Sequence, residues 1–295
     1  MKDRAHTVGV WLALIAAFSL SMKAIWVKLA YHWPIEAVTL LAIRMAFSLP
    51  FFAVIGLRES RRLQPLSQGQ WFVVMMLGLL GYYAASLLDF IGLHYISVSL
   101  ERLILFSYPA LTLILGAVFY RQPIGRRNFG ALLLCYAGIA AAFAHDLHTA
   151  EDMRTVWIGG GFILASALCY AIYLVGSGRI IPLVGAARFA ALSMLASTGA
   201  VLLHFLLTQP LQALDQPWQV YALTLGLALF STVLPVFALS AAIPRIGSGK
   251  AALIGTIGPV MTIAMSTWLL GEPVSLWQWI GTALILAGVL LAGKK

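Results

Sequence analysis

The sequence predicts an all-α integral membrane protein of about ten transmembrane helices, arranged as two five-helix halves of opposite orientation. Three observations lead there: a surplus of apolar residues, an alternation of basic residues between apolar runs, and an echo between the two halves. Of the 295 residues, 61% are hydrophobic and 10% charged, where a soluble domain has roughly 45–50% and about 25%. A chain of this size has no interior large enough to hide the surplus, so it must face lipid. At about 20 residues per span with short connections, the length fits about ten spans and leaves no room for a soluble domain.

The apolar runs place the spans at about residues 8–30, 36–57, 70–93, 97–119, 128–144, 157–178, 186–207, 218–241, 247–270 and 276–293. Prolines and polar residues punctuate the joins, as at Trp33-Pro34, Gln64-Pro65, Gln122-Pro123 and Gln209-Pro210. The first run follows Lys2 and Arg4, as a signal peptide would, but it is too long and lacks a small-residue cleavage site. It is read as the first helix.

Basic residues orient the spans. Fourteen of the nineteen Lys and Arg residues, from Lys2 and Arg4 to Lys294 and Lys295, fall on segments of one side, and Arg154 alone on the other. The remaining four, Lys23, Lys28, Arg44 and Arg102, lie within spans. Acids lean the opposite way, with Glu36, Asp146, Glu151, Asp152, Asp215 and Glu272 outside. Both termini are therefore expected in the cytoplasm and the chain in the cell (inner) membrane. The net charge of +9 is spread over these loops, which argues against nucleic acid. Cys135 and Cys169 both sit in apolar runs, where a thiol behaves as a small hydrophobe.

The echo has an offset of 150 residues. Phe106-Ser107-Tyr108-Pro109-Ala110 answers Thr256-Ile257-Gly258-Pro259-Val260, Tyr120-Arg121-Gln122-Pro123-Ile124 answers Leu270-Gly271-Glu272-Pro273-Val274, and Gly138 answers Gly288. The expected repeats are residues 1–145 and 155–295. Five spans is an odd number, so the second copy enters the membrane the other way up, which is the usual construction of secondary transporters. Pro109 and Pro259 are expected to bend their helices by removing a hydrogen bond in mid-span.

Ser107-Tyr108-Pro109, Ile257-Gly258-Pro259, Leu270-Gly271-Glu272-Pro273-Val274-Ser275 and Leu41-Ala42-Ile43-Arg44 resemble the drug/metabolite transporter superfamily in its EamA-type branch. The likeness covers essentially the whole chain. It implies ten helices in two inverted repeats around a central cavity, as in YddG-type amino-acid exporters, and it implies export. The first half departs from the pattern, with Arg121-Gln122-Pro123 in place of the usual Gly-Glu pair. The superfamily handles amino acids, other metabolites, nucleotide-linked compounds and cationic drugs, so the likeness leaves the substrate open.

Ionisable residues inside a span are costly and mark functional pathways. Here they are Lys23, Lys28, Arg44, Asp89, Glu101 and Arg102, all in the first half. Helical spacing adds neighbours on the same faces: Ser19 and Trp26 beside Lys23, Tyr82 and Ser86 beside Asp89, Ser48 beside Arg44, and Tyr108 and Thr112 beside Glu101. In the second half Ser166, Tyr170, Tyr173 and Ser177 form a polar-aromatic stripe. Lys28 either snorkels to the interface or joins the site. Asp89 either caps, pairs with a lysine or joins the site. Glu101 and Arg102 form a structural pair, an outer gate or a substrate contact, and the tyrosines either pack or line the pathway. Lys23 and Arg44 lie deepest and are expected to reach the cavity. The candidate substrate-binding or gating set is thus Lys23, Trp26, Arg44, Tyr82, Asp89, Glu101, Arg102, Tyr108, Tyr170 and Tyr173. His94 and His204, and the tryptophans Trp33, Trp71, Trp157, Trp218 and Trp277, are expected at the membrane interfaces.

Four cations against two anions leave the first half with about +2, which suits a substrate carrying a carboxylate or phosphate. The expected function is secondary transport, in the export direction, of a small polar metabolite such as an amino acid or organic acid. The alternative is export of cationic or lipophilic drugs in exchange for protons at Glu101. An enzyme is the remote third reading, since no HExxH, G-x-S-x-G or Walker loop is present and Gly247-Ser248-Gly249-Lys250 follows Pro244 where a P-loop needs glycine. No catalytic residue, metal or cofactor is expected. The partners are a small-molecule substrate and the lipid bilayer, with protons in the alternative, and the chain is expected to act as a monomer or homodimer.

Overall fold

The computed structural model describes residues 2–121, 125–149, 152–246, 254–255 and 257–293, and all of their regular structure is helical. Eight helices among them are long and apolar enough to cross a membrane: α1 (His6–Ala30), α2 (Ala37–Arg62), α3 (Gln68–Tyr95), α4 (Val98–Phe119), α5 (Phe129–Asp146), α6 (Met153–Val184), α7 (Ala186–Thr208) and α8 (Trp218–Leu239). Two shorter apolar helices follow, α9 (Gly258–Leu270) and α10 (Leu276–Leu291). Gln122, Pro123, Ile124, Glu151, Thr256, Lys294 and Lys295 lie outside the described residues, as do Gly247 to Lys250 and with them the start of the expected ninth span.

Several helices outrun the apolar stretches that announced them. α6 has 32 residues, ~48 Å at about 1.5 Å per residue, against a hydrocarbon core of about 30 Å. Hydropathy marks only the part that meets lipid, whereas the intrahelical hydrogen bonds carry the helix on to Gly185, whose φ of 85° ends it. The nearly continuous third and fourth spans are separated by Ser97, whose hydroxyl caps α4 by accepting the Leu100 N–H at 3.2 Å.

Four helices are irregular inside the span. α1 stops at Ser21, turns at Met22 and resumes at Lys23. α4 stops at Leu105 and restarts at Tyr108. α3 and α8 each carry one π turn, Leu79–Ala84 and Leu229–Val233. Pro109 and Pro259 stand in the first turns of Tyr108–Tyr120 and Gly258–Leu270. That corrects the mid-helix reading of the prolines. In a first turn the missing N–H has no intrahelical partner in any case, so the bend in α4 arises because one helix stops and another starts.

The 150-residue register reappears in three dimensions. The two π turns begin 150 residues apart, as do the helices Tyr108–Tyr120 and Gly258–Leu270, and their left-handed caps are Arg121 (φ 52°) and Gly271 (φ 67°). α5 packs on α10 and α2 on α7, while α1 packs on the end of α8 (Leu234–Ile246) as α6 packs on α3. Along the α5–α10 seam, Cys135 Sγ faces Ile285 O at 3.8 Å, again 150 residues away. A Cβ on Gly138 would lie 2.6 Å from Gly281 O, and one on Gly288 would lie 2.7 Å from Ala131 O. Exchanging the halves turns one of these contacts into the other. The main core, which includes Ile25, Leu40, Met45, Phe90 and Leu227, joins α1, α2, α3, α7 and α8. Trp71, Trp157, Trp218 and Trp277 are exposed, but Trp33 is half-buried against that core.

Gly138→Ala drives a Cβ into backbone that cannot step aside and is expected to cost about 1–3 kcal/mol. The readout is a lower thermal unfolding temperature of the detergent-purified protein. Gly161→Ala, which meets open space, is expected to leave that temperature unchanged or slightly higher.

Candidate functional site

The six ionisable side chains of the first half divide into two groups. Lys28 lines a cavity of about 260 Å³ together with Tyr31, His32, Leu93 and His94. The rings of Tyr31 and His94 stack at 3.7 Å, and the Tyr31 hydroxyl donates to Phe90 O at 2.7 Å. Lys28 acts electrostatically on Glu272. His94 is therefore a wall of a cavity rather than a bare interfacial residue, and His204 accepts or donates a bond at 2.9 Å with the Tyr83 hydroxyl.

The other five, Lys23, Arg44, Asp89, Glu101 and Arg102, form a buried cluster. The break in α1 makes Lys23 the first residue of a new helical segment, and its Nζ reaches Asp89 Oδ2 at 2.7 Å. Asp89 is fully buried and is paired with Lys23. Glu101, also fully buried, interacts electrostatically with both Asp89 and Lys23. Arg102 Nε lies 3.8 Å from Glu101 Oε2, which is long for a charged hydrogen bond. Because Lys28 answers to Glu272, the cluster itself holds three cations and two carboxyls.

Arg44 sits between the π turns. Its Nε donates to Thr232 Oγ1 at 2.9 Å, within the π turn of α8, and its Nη1 to Ser86 Oγ at 3.5 Å, just past the π turn of α3. The guanidinium also lies 5.6 Å over the Phe90 ring. No carboxylate among the described residues comes within 4.0 Å of it. Asp89 acts on it only through space. The guanidinium is thus buried with neutral partners, and an anionic group would complete it.

The tyrosines of the two halves meet. Tyr82 and Tyr173 share a hydroxyl–hydroxyl bond of 2.9 Å. Tyr173 stacks on Tyr170 at 5.7 Å, and Tyr170 meets Tyr108 edge-on at 5.1 Å. Trp26 packs its ring over Gly226, and its Nε1 is buried without an acceptor among the described residues. Ser166, expected on the same stripe, instead donates to Ala85 O at 2.7 Å and fastens α6 to α3.

Thr232 and Thr262 went unremarked in the sequence, and Glu272 stood out there only as an outside acid and a member of the family motif. Thr232 stands 150 residues after Tyr82, and Tyr173 the same distance after Lys23, so the repeat register already pointed at the α8 π turn. Thr262 lies 3.1 Å from Ser21 O, and Ser21 Oγ lies 3.1 Å from Gly258 O, which ties the break in α1 to α9. Glu272, present in the quoted Gly271-Glu272-Pro273, accepts the Val98 N–H with both oxygens, at 3.0 and 3.3 Å, and so caps α4. Burial raises the Glu272 carboxyl above the usual carboxylate range, and the charge of Lys28 partly opposes that.

Against known proteins, the EamA-like transporter family matches twice, over residues 7–144 and again over 157–293. An uncharacterized transporter of Bacillus subtilis (strain 168), YcbK, is 31% identical over 287 residues, which is 95% of this chain and 91% of its own. YyaM of the same organism, also an uncharacterized transporter, is 26% identical over 224 residues, 74% of this chain and 72% of its own. A solved chain described only as "Crystal structure of protein" superposes with a TM-score of 0.63, covering 99% of this chain and 97% of that one at 16% identity.

Glu272→Ala removes one of the two caps of α4, leaving that of Ser97, and is expected to cost about 1 kcal/mol, while Glu272→Gln keeps one acceptor and costs less. A carboxyl raised by folding holds its proton longer in the folded state than in the unfolded chain, so its contribution is present at acid pH and is lost as pH rises through the raised value. Thermal unfolding followed across that range is expected to show the decline in the wild-type chain and not in Glu272→Gln.

Proposed function

The chain belongs to the EamA-like transporter family, and from that membership and its buried cluster we propose that this membrane transporter exports a small polar metabolite, an amino acid or organic acid, by alternating access. The observation that carries the substrate class is Arg44: a buried guanidinium bonded to Thr232 and Ser86, with no counter-ion within 4.0 Å among the described residues. A substrate carboxylate placed there offsets the cost of burying the charge. The hydroxyls of Tyr82 and Tyr173 and the ring of Trp26 supply walls that accept a small organic body.

The mechanism proposed rests on two inverted halves. Supporting it are the double family match, the paired π turns, and the exchange of contacts along α5–α10. On this reading the two shorter helices complete ten spans, residues 1–145 and 155–295 are the repeats, and both termini are cytoplasmic in the cell (inner) membrane. Substrate enters between the halves from one side. The halves then rock about the α2–α7 and α5–α10 seams, and the site opens to the other side. The breaks in α1 and α4 sit beside Lys23 and Glu101, so the segments that rearrange are the ones carrying the charges. The chain is proposed to work as a monomer or homodimer, with no catalytic step and no cofactor.

A rival reading, export of cationic or lipophilic compounds through Glu101, draws on that carboxyl's complete burial without a hydrogen-bond donor. Lys23 and Arg102 weigh against it, because they leave the cluster without net negative charge.

Arg44→Gln is expected to lower uptake of radiolabelled amino or organic acids into inside-out vesicles by about 10- to 100-fold, the equivalent of one charge-assisted hydrogen bond of about 1.5–3 kcal/mol. Arg44→Lys is expected to retain part of the activity. Unchanged transport in Arg44→Gln rejects the assignment. For orientation, green fluorescent protein fused at the C-terminus should fluoresce and alkaline phosphatase fused there should be inactive. The reverse pattern would put that end outside.

A further inference from the structure

Asp89 and Glu101 are both fully buried, from α3 and α4, and they share one cation: Lys23 lies 2.7 Å from Asp89 and acts on Glu101 through space. Glu101 receives no hydrogen bond at either oxygen among the described residues, and Asp89 Oδ1 receives none. Ionised carboxylates are acceptors only. Two buried side by side repel, and neither can satisfy the other. One proton between them changes both facts at once: the protonated group becomes the donor that its neighbour lacks, and one of the two negative charges disappears. We infer that Asp89 and Glu101 hold a single exchangeable proton between them, and that this pair is the proton site of the transport cycle.

The surroundings fit a site that loads and unloads. From α1, Lys23 lies 2.7 Å from Asp89 Oδ2. From α2, Arg44 acts on Asp89 through space, and the Tyr31 hydroxyl after α1 does so while bonded to Phe90 O. α4 brings Arg102, 3.8 Å from Glu101, and Tyr108, which is packed in turn on Tyr170 of α6. α9 offers only hydroxyls, such as Ser266 at 3.1 Å from Ser99, and has no titratable side chain from Gly258 to Leu270. Lys23 is therefore the cation closest to the pair, and it stands directly after the break at Met22. Movement of the segment Lys23–Ala30 carries that cation toward or away from Asp89, and the pair's hold on its proton changes with it. A proton and a substrate ammonium group compete for the same two carboxyls, which is the requirement for exchange. That last step rests on the transport reading above. The proton pair itself does not.

Infrared spectroscopy of the full chain in lipid reads the pair without any substrate, because a protonated carboxyl shows a C=O stretch that a carboxylate lacks. The wild-type chain is expected to show such a band at neutral pH, titrating as one group and shifting in deuterated buffer. Glu101→Gln is expected to remove it. Lys23→Met is expected to raise its midpoint by about one pH unit or more, a tenfold tighter hold on the proton. If Glu101→Gln does not fold, Asp89→Asn interrogates the same pair. A band that persists in these variants, or a wild-type chain with no titrating band, overturns the inference. A band without vesicle transport counts against the transport reading alone, and transport without a band counts against the proton pair alone.

Discussion

Inside hydrocarbon there is no water to satisfy a loose carbonyl or to solvate a charge, and that constraint decides where this chain is regular and where it is not. A π turn frees backbone groups that an α-helix would pair. In α8 the hydroxyl of Thr232 donates to Leu227 O at 3.3 Å, and the same hydroxyl accepts from Arg44. Ser231, in that π turn, donates to Ser19 O at 2.7 Å in the last turn before α1 breaks. The irregular segments of α1 and α8 thus satisfy one another, and they do so at the contact between the halves.

The charges obey the same rule with less slack. A buried ion pair such as Lys23–Asp89 is weak evidence of stability, since desolvation of both ions cancels much of their attraction. Among the described residues Arg44 meets no counter-ion and Glu101 no donor, which is less favourable still. A chain selected for stability alone would replace them with apolar side chains. Their presence at the meeting point of the helix breaks is explained if the missing anion and the missing proton arrive during the working cycle.

Close backbone approach supplies the rigid counterpart. Gly138, Gly281 and Gly288 let α5 and α10 touch backbone to backbone, with Cys135 against Ile285 near the middle of the seam. Without a hydrophobic drive between helices in lipid, small residues and dense packing are what hold such seams together. In the charged cluster hydroxyls and ion pairs take the place of these glycine contacts.

Much of the candidate cluster's membership was legible and almost none of its geometry. Lys23, Arg44, Asp89 and Glu101 stood out because each is an expensive residue in an apolar run, and Tyr82 and Tyr173 because helical spacing put them on polar faces. Their partners did not stand out. Thr232 is an ordinary hydroxyl until Arg44, 188 residues earlier, is folded against it, and Glu272 was an unassigned loop acid until it met Val98. Pro109 and Pro259 were placed correctly in the chain but misread, because hydropathy cannot tell a bent helix from two helices laid end to end. The sequence by itself determined the class, the family, the register of 150 and the charges inside the spans, since each follows from what a residue costs in lipid or from its spacing along the chain. It did not show that Arg188 is buried, held by Val184 O and Gln64 O. Only the tertiary structure decided which cation meets which anion, and which of them are left unpaired, because those outcomes depend on distances between helices that no periodicity along one chain encodes.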